Sequence, residues 1–150
     1  MVKEIEINSE SEMIALGKRI GGLLERNMVI ALTGDLGAGK TTLTKGIGQA
    51  LEVKTTINSP TFTILKIHSG TMPLYHMDVY RINPESGDDY LEEYFEKDGV
   101  AVVEWAENIA YLLPDSLLKI DIKNLGGTKR LVVLSATDPK YGKIIESVIK

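Results

Sequence analysis

Residues 28–42 of this chain read Met-Val-Ile-Ala-Leu-Thr-Gly-Asp-Leu-Gly-Ala-Gly-Lys-Thr-Thr. The opening five side chains are apolar, and such an uninterrupted run is typical of a strand buried on both faces of a sheet. The segment from Gly34 to Thr41 then matches GxxxxGK(S/T) at every defined position. Glycines let backbone N–H groups surround a polyphosphate, and a helix that follows adds its N-terminal amides. A strand, a glycine loop and a helix in this order predict a nucleotide phosphate site.

Two side chains of this loop are expected to carry the phosphate chemistry. Lys40 should reach the β- and γ-phosphates, and the Thr41 hydroxyl should ligate Mg²⁺. The chain has no Asn-Lys-x-Asp guanine signature, so ATP is the expected nucleotide. The loop residues predicted to contact it are Asp35, Gly37, Ala38, Gly39, Lys40, Thr41 and Thr42.

A carboxylate at the end of a buried strand is the next candidate, because phosphoryl transfer needs a metal and a group that orients the attacking atom. Glu104 directly follows the apolar run Val100–Val103. We predict that Glu104 is catalytic and that it associates with the metal beside Thr41. The alternative is a solvated glutamate at a strand end.

A second carboxylate lies in the strand predicted over Leu74–Tyr80. Alternation along this strand places His76, Asp78 and Tyr80 on one face. Three polar or titratable groups together indicate the wall of a site, so Asp78 is also predicted to be catalytic. A lone buried histidine, by contrast, is more often structural.

The remaining pattern predicts an α/β fold: a three-layer sandwich like that of P-loop NTPases, with a mixed, mostly parallel sheet, helices on both faces and an antiparallel hairpin. The acidic pairs at 88–89 and 92–93 are expected to be solvated. The predicted elements are an edge strand at Val2–Ile7, a helix over residues 10–26 opened by a Ser9/Glu12 capping box, a helix from the glycine loop to about Leu51, a hairpin over 61–81, a short helix at Tyr90–Phe95, strands at Leu117–Ile122 and Arg130–Leu134, and a C-terminal helix opened by Asp138-Pro139.

Length and composition limit the class of protein. The 150 residues suit one domain, 1–150, since domains usually span about 100–200 residues. The net charge is −4 and no Lys/Arg cluster occurs, so direct strong binding to nucleic acid or to a membrane is not expected. With no cysteine, disulfides and thiolate sites are excluded. Neither a signal peptide nor a membrane span is recognisable, which predicts a cytoplasmic protein.

The residues alone leave the reaction open. Only four arginines occur, too few for an arginine-rich lid on a second phosphorylated substrate, which argues against a nucleotide kinase. Physical reasoning stops at a small ATPase or a nucleotide-gated binding module.

Four blocks in the chain resemble the bacterial tRNA threonylcarbamoyladenosine biosynthesis ATPase family, TsaE. Their order and spacing are similar to the family's, and together they reach across nearly the whole chain. The blocks are Gly34–Thr42, Ser59-Pro60-Thr61-Phe62, Tyr75-His76-Met77-Asp78-Val79-Tyr80-Arg81 and Glu104-Trp105.

The resemblance implies an ATPase needed to attach a threonylcarbamoyl group to the adenosine next to the tRNA anticodon. It implies action on the TsaB–TsaD transferase pair, which ATP hydrolysis resets between turnovers. By motif, it assigns Lys40 to the phosphates, Thr41 and Glu104 to Mg²⁺, Asp78 to activity, Ser59–Thr61 to γ-phosphate sensing, Ser9-Glu10-Ser11 to the adenine, and Lys129 and Arg130 to the other side of the base. The Gly127–Arg130 segment departs from the family's more arginine-rich pattern.

Arg81 is the one candidate for an arginine finger, so slow turnover that rises with a partner is expected. Two alternatives to this ATPase are a small P-loop metabolite kinase and a nucleotide switch that does not hydrolyse ATP. An acceptor-bound phosphate would distinguish the kinase, and binding without turnover would distinguish the switch.

Overall fold

Seven strands lie in one sheet in the computed structural model, which describes residues 1–58 and 64–149. The strands are β1 (Val2–Ile7), β2 (Val29–Gly34), β3 (Leu65–His68), β4 (Leu74–Asp78), β5 (Val100–Glu104), β6 (Leu118–Gly126) and β7 (Lys129–Ser135). Their order across the sheet is β1-β7-β6-β2-β5-β4-β3. Neighbours among β6, β2, β5 and β4 are parallel, whereas β3 and β7 run antiparallel to the strands beside them. The mostly parallel direction and the antiparallel hairpin are therefore confirmed.

Within the described residues, three α-helices cover one face of the sheet, and two 3₁₀ helices cover part of the other. They are α1 (Glu10–Gly21), α2 (Lys40–Ala50) and α3 (Pro139–Val148), with 3₁₀ helices at Asp89–Glu96 and Ala106–Ile109. Leu16, Leu43 and Ile145 pack with the apolar side chains of the sheet on the α-helical face. Leu91, Phe95 and Ile109 pack on the opposite face, in a cluster with apolar side chains of β2, β4 and β5. The predicted three layers are confirmed, with 3₁₀ turns forming the second helical layer.

The topology places the carboxyl ends of three parallel strands side by side. β2 is central, with β5 on one side and β6 on the other, and β4 pairs with β5. Ligands of open α/β sheets bind at this edge of the strands. The glycine loop after β2, Asp78 at the end of β4 and Glu104 at the end of β5 consequently share one region.

Several predicted boundaries are wrong. The first helix ends at Gly21 and not at residue 26, because two consecutive glycines favour termination and the next amides make tighter i→i−3 bonds. Leu23, which lies within the predicted helix but beyond its observed end, is consequently 41% exposed. Half of the predicted capping box is present, because the Ser9 hydroxyl accepts the amide of Glu12 at 3.1 Å. The Glu12 carboxylate accepts the amide of Asn8, and not that of Ser9 as predicted.

The hairpin over 61–81 has shorter strands than predicted. β4 ends at Asp78, two residues before Tyr80, and β3 begins at Leu65. The start of the predicted hairpin, together with Ser59–Thr61, lies outside the described residues. The predicted helix at Tyr90–Phe95 is a 3₁₀ helix, and β6 extends to Gly126 where the expected strand stops at Ile122.

Candidate nucleotide site

The glycine loop adopts backbone conformations that require its glycines. Gly34, Gly37 and Gly39 have φ angles of +141°, +77° and +117°. A Cβ at Gly34 would also lie 2.5 Å from the carbonyl oxygen of Ile122. Gly39 begins α2 in the left-handed region, and no side chain in the described chain caps that N-terminus. The first amides of α2 are thus left for an anion.

Lys40 lies folded against the loop that precedes it. Its Nζ donates to the carbonyl oxygens of Gly34 and Asp35, the latter at 2.9 Å. The same ammonium lies 4.1 Å from the centroid of the Trp105 ring. Burial lowers the pKa of Lys40 below its ordinary value, and the carboxylate of Glu104 opposes that shift. Two backbone carbonyl groups and the Trp105 ring therefore hold the Lys40 side chain against the loop.

Thr41 and Glu104 join the loop to the end of β5. Thr41 Oγ1 lies 3.0 and 3.1 Å from the two carboxylate oxygens of Glu104, which is 2% exposed. The solvated-glutamate alternative is thereby excluded. Asp78 is the registered neighbour of Glu104 on β4. Its Oδ1 accepts the amide of Tyr80 at 3.1 Å.

The donor atoms at this position suit a hard cation. A hydroxyl and a carboxylate supply oxygen ligands, and Mg²⁺ in nucleotide sites usually takes only one or two from protein, with phosphate and water completing its shell. Within residues 1–58 and 64–149, no group of three or more His, Asp or Glu side chains is placed to hold a metal by itself. Thr41 and Glu104 therefore fit Mg²⁺ that arrives with a nucleotide.

A cleft of about 730 Å³ opens over these groups. Its lining includes the loop, Lys40, Thr41, Asp78 and Glu104. The other residues that line it are Leu36, Ile64, Tyr80, Arg81, Ile82, Asp88 and Trp105. The predicted catalytic residues therefore converge on one cavity. Asp88, which the sequence indicated as solvated, also faces this cavity.

A smaller pocket of about 210 Å³ lies on the other side of the glycine loop. Glu10 and Arg130, both assigned to the nucleotide base by resemblance, line it. Gly37, Gly39 and Thr42 line both cavities, so one loop separates them. The exposed Asp35 side chain lines neither, and only its backbone carbonyl takes part, as an acceptor for Lys40.

Arg130 has a role that sequence reasoning missed. Its guanidinium donates to the carbonyl oxygens of Ala38 and Gly37 at 2.9 and 3.3 Å. These bonds join β7 to the glycine loop across 92 and 93 residues of chain, and no local pattern predicts a contact of that range.

The three residues predicted to form one wall of the site, His76, Asp78 and Tyr80, do not all reach it. His76 is fully buried and does not line the cleft, whereas Asp78 and Tyr80 do. Tyr80 packs on Trp105 with 4.7 Å between ring centroids.

Known proteins share the sequence and the fold of this chain. The sequence profile described as "Threonylcarbamoyl adenosine biosynthesis protein TsaE" matches residues 7–132. This chain belongs to the TsaE family. As a family member it takes part in tRNA threonylcarbamoyladenosine biosynthesis.

Individual relatives extend the match over most of the chain. The TsaE protein of Bacillus subtilis strain 168 is 44% identical over 143 residues, which cover 95% of this chain and 90% of that protein. The TsaE protein of Treponema pallidum is 38% identical over 127 residues, which cover 79% and 90%. The crystal structure of Bacillus subtilis YdiB superposes with a TM-score of 0.81 at 38% identity, and covers 99% of this chain and 96% of the other. The resemblance stated from the four sequence blocks is confirmed.

No helix in the described ranges combines the length and apolarity that crossing a lipid bilayer requires.

Proposed function

We propose that this TsaE protein binds ATP with Mg²⁺ and hydrolyses it, and that the TsaB–TsaD transferase pair stimulates the hydrolysis. The observation that carries the proposal is the convergence of Lys40, the Thr41–Glu104 pair and Asp78 on one cleft beside a loop with free helix amides. Each belongs to a different segment of the chain, so their meeting is a property of the fold. We expect the protein to be located in the cytoplasm.

The two cavities suit the two ends of ATP. The phosphates would lie on the loop side of the 730 Å³ cleft, where Lys40 and backbone amides offset their negative charge. The adenine would occupy the 210 Å³ pocket between Glu10 and Arg130. The glycine loop lines both cavities and would lie along the triphosphate that joins them.

In the proposed reaction a water attacks the γ-phosphorus in line. A P–O bond forms to the water oxygen and the bond to the β-phosphate oxygen breaks, and one proton of the water passes to bulk solvent as ADP and inorganic phosphate leave. Asp78, beside Glu104 at the cleft, orients the water by accepting its hydrogen bond. When bound by Thr41 and Glu104, Mg²⁺ supplies further charge neutralisation at the phosphates. Arg81, which lines the cleft and is exposed, is a candidate for the missing positive charge in the transition state.

The test is phosphate release from ATP and Mg²⁺, measured with and without the TsaB–TsaD pair. Lys40→Ala serves as the inactive control, because it removes the phosphate-facing cation and leaves the loop glycines in place. Stimulation by the pair that is lost in Lys40→Ala supports the proposal.

Two other outcomes would contradict it. Phosphate transferred to an acceptor molecule would indicate the kinase alternative. ATP binding without release of phosphate, even with the pair present, would indicate a nucleotide switch.

A further inference from the structure

His76 lies in β4 next to the strand that carries Glu104. Its side chain is fully buried, and Nε2 is hydrogen-bonded to Glu104 Oε2. An ionised carboxylate only accepts hydrogen bonds, so Nε2 must carry the hydrogen. Nδ1 is buried and finds no partner within residues 1–58 and 64–149. Among the described residues, this ring therefore hydrogen-bonds to Glu104 alone.

Glu104 needs such a donor because it is itself buried. A carboxylate removed from water is costly unless donors replace its hydration. Thr41 Oγ1 approaches both oxygens from α2, and His76 approaches Oε2 from β4. Glu104 is consequently fixed from two sides, by a group inside the nucleotide cleft and a group outside it.

His76 does not line the cleft, although Glu104, Thr41 and Asp78 do. It is separated from the reacting groups by the carboxylate that it contacts. The hydrogen bond to Glu104 is therefore the direct contact through which His76 can affect a nucleotide or metal in the cleft.

We propose that His76 is a positioning residue: its Nε2–H holds the Glu104 carboxylate in the orientation that Mg²⁺·ATP requires. This inference rests on the proposed function. It follows from the general behaviour of metal ligands, whose hydrogen-bond partners fix their orientation and strengthen metal binding.

The other histidine of the chain provides a matched control. His68 lies on the adjacent strand β3, is 5% exposed and has one ring nitrogen without a partner among the described residues. The other ring nitrogen of His68 is hydrogen-bonded to Thr55 Oγ1 at 2.8 Å, and His68 makes no hydrogen bond to Glu104. A general cost of replacing a buried histidine should appear at both positions, whereas a positioning effect should appear only at His76.

The experiment measures binding of a non-hydrolysable ATP analogue by calorimetry, once with Mg²⁺ and once with EDTA. The variants are His76→Leu, His76→Gln and His68→Leu. Glutamine places an amide N–H roughly where histidine places Nε2, whereas leucine has no donor. Thermal unfolding of each variant establishes that it is folded.

In EDTA, we expect His76→Leu to bind the analogue as tightly as the unaltered chain does. With Mg²⁺, its affinity should be about 10–100-fold lower than that of the unaltered chain, because it loses that much of the affinity gained from Mg²⁺. His76→Gln should recover most of that gain, and His68→Leu should keep all of it. In steady-state assays with Mg²⁺, the KM for ATP should rise for His76→Leu by a similar factor, because the predicted loss lies in binding.

Three results would overturn the inference. They are an unchanged Mg²⁺ gain in His76→Leu, equal losses in the two leucine variants, and an equal loss with and without Mg²⁺. If leucine prevents folding, His76→Gln decides alone: a folded glutamine variant without the Mg²⁺ gain contradicts the inference, and one with the gain supports it. If the unaltered chain gains no affinity from Mg²⁺, the proposed function and the inference both fail.

Discussion

The Lys40 ammonium lies 4.1 Å from the centre of the Trp105 ring, and it also donates to the loop carbonyl oxygens of Gly34 and Asp35. Trp105 reaches this position with φ at +61°, a left-handed conformation that costs a non-glycine residue of the order of 1 kcal/mol. Such strain is retained where surrounding contacts determine it. Here those contacts are Lys40 and the Tyr80 ring.

A nucleotide should change the fluorescence of Trp105. It is the only tryptophan in the chain, and phosphates that attract Lys40 would change the charge above its ring. We expect a saturable change in emission on titration with ADP or ATP. Lys40→Ala should alter the spectrum without nucleotide and show little further response. An unaltered spectrum at saturating nucleotide, with binding verified by calorimetry, would contradict this prediction.

Removal of either cleft carboxylate should affect hydrolysis more than binding. Glu104→Ala and Asp78→Ala should each lower kcat by about 100-fold, because they remove the proposed metal ligand and the proposed acceptor for the attacking water. Nucleotide affinity in EDTA should change little. The control is Glu93→Ala. Glu93 has an exposed carboxylate that pairs with Lys97 at an N–O distance of 3.3 Å, and it does not line the cleft. Turnover unchanged in a cleft variant would remove that residue from the site.

Loss of the Arg130 guanidinium should loosen the glycine loop. Arg130→Met removes the donors to Ala38 and Gly37, and we expect about tenfold weaker ATP binding from the loss of two bonds to backbone oxygens. Arg26→Met is the matched control, since Arg26 also donates to a backbone carbonyl, that of Asp98. If both variants weaken binding equally, Arg130 has no special relation to the loop.

The contact between α1 and α2 depends on glycine at position 17. A Cβ there would lie 2.2 Å from the carbonyl oxygen of Leu43, a backbone atom of α2. Gly17→Ala should therefore destabilise the fold by about 2 kcal/mol or more in chemical denaturation. Gly22→Ala should instead raise stability by about 0.5 kcal/mol, because Gly22 has φ −67° and its nearest neighbour would be 3.6 Å away. Equal effects of the two substitutions would contradict this account of the helix contact.

Acid should remove the contribution of Asp138 to stability. Asp138 caps α3, and its hydrogen bond from Ser116, with that from the Lys140 amide, lowers its pKa below the ordinary 3.8. A carboxyl with a lower pKa in the folded state stabilises the fold above the unfolded pKa, and that contribution disappears as pH falls through the folded pKa. Asp138→Asn keeps a capping oxygen but does not titrate. The difference in melting temperature between the two proteins should be largest near pH 7 and shrink below pH 4.

The local sequence was sufficient for the loop and the elements beside it. The apolar run of β2, the glycines at 34, 37 and 39 and the first residues of α2 are adjacent in the chain, so their conformation follows from local preference. Alternation likewise indicated that His76 and Asp78 share a face, and the run ending at Glu104 indicated a buried strand. The order of the four sequence blocks was also enough to indicate the TsaE family.

Only the tertiary structure joined Glu104 to Thr41 and His76, and Arg130 to the loop. These partners are separated by 63, 28 and about 90 residues of chain, and their contact depends on strand order, register and burial. A periodic pattern shows which face of a strand is buried, but it cannot show which neighbour will supply a hydrogen bond there. The sequence alone therefore indicated a glycine loop suited to phosphate and the two candidate carboxylates. The fold determined that Glu104 is held between two hydrogen-bond donors at the edge of the cleft, because pairing between distant strands brings those donors together.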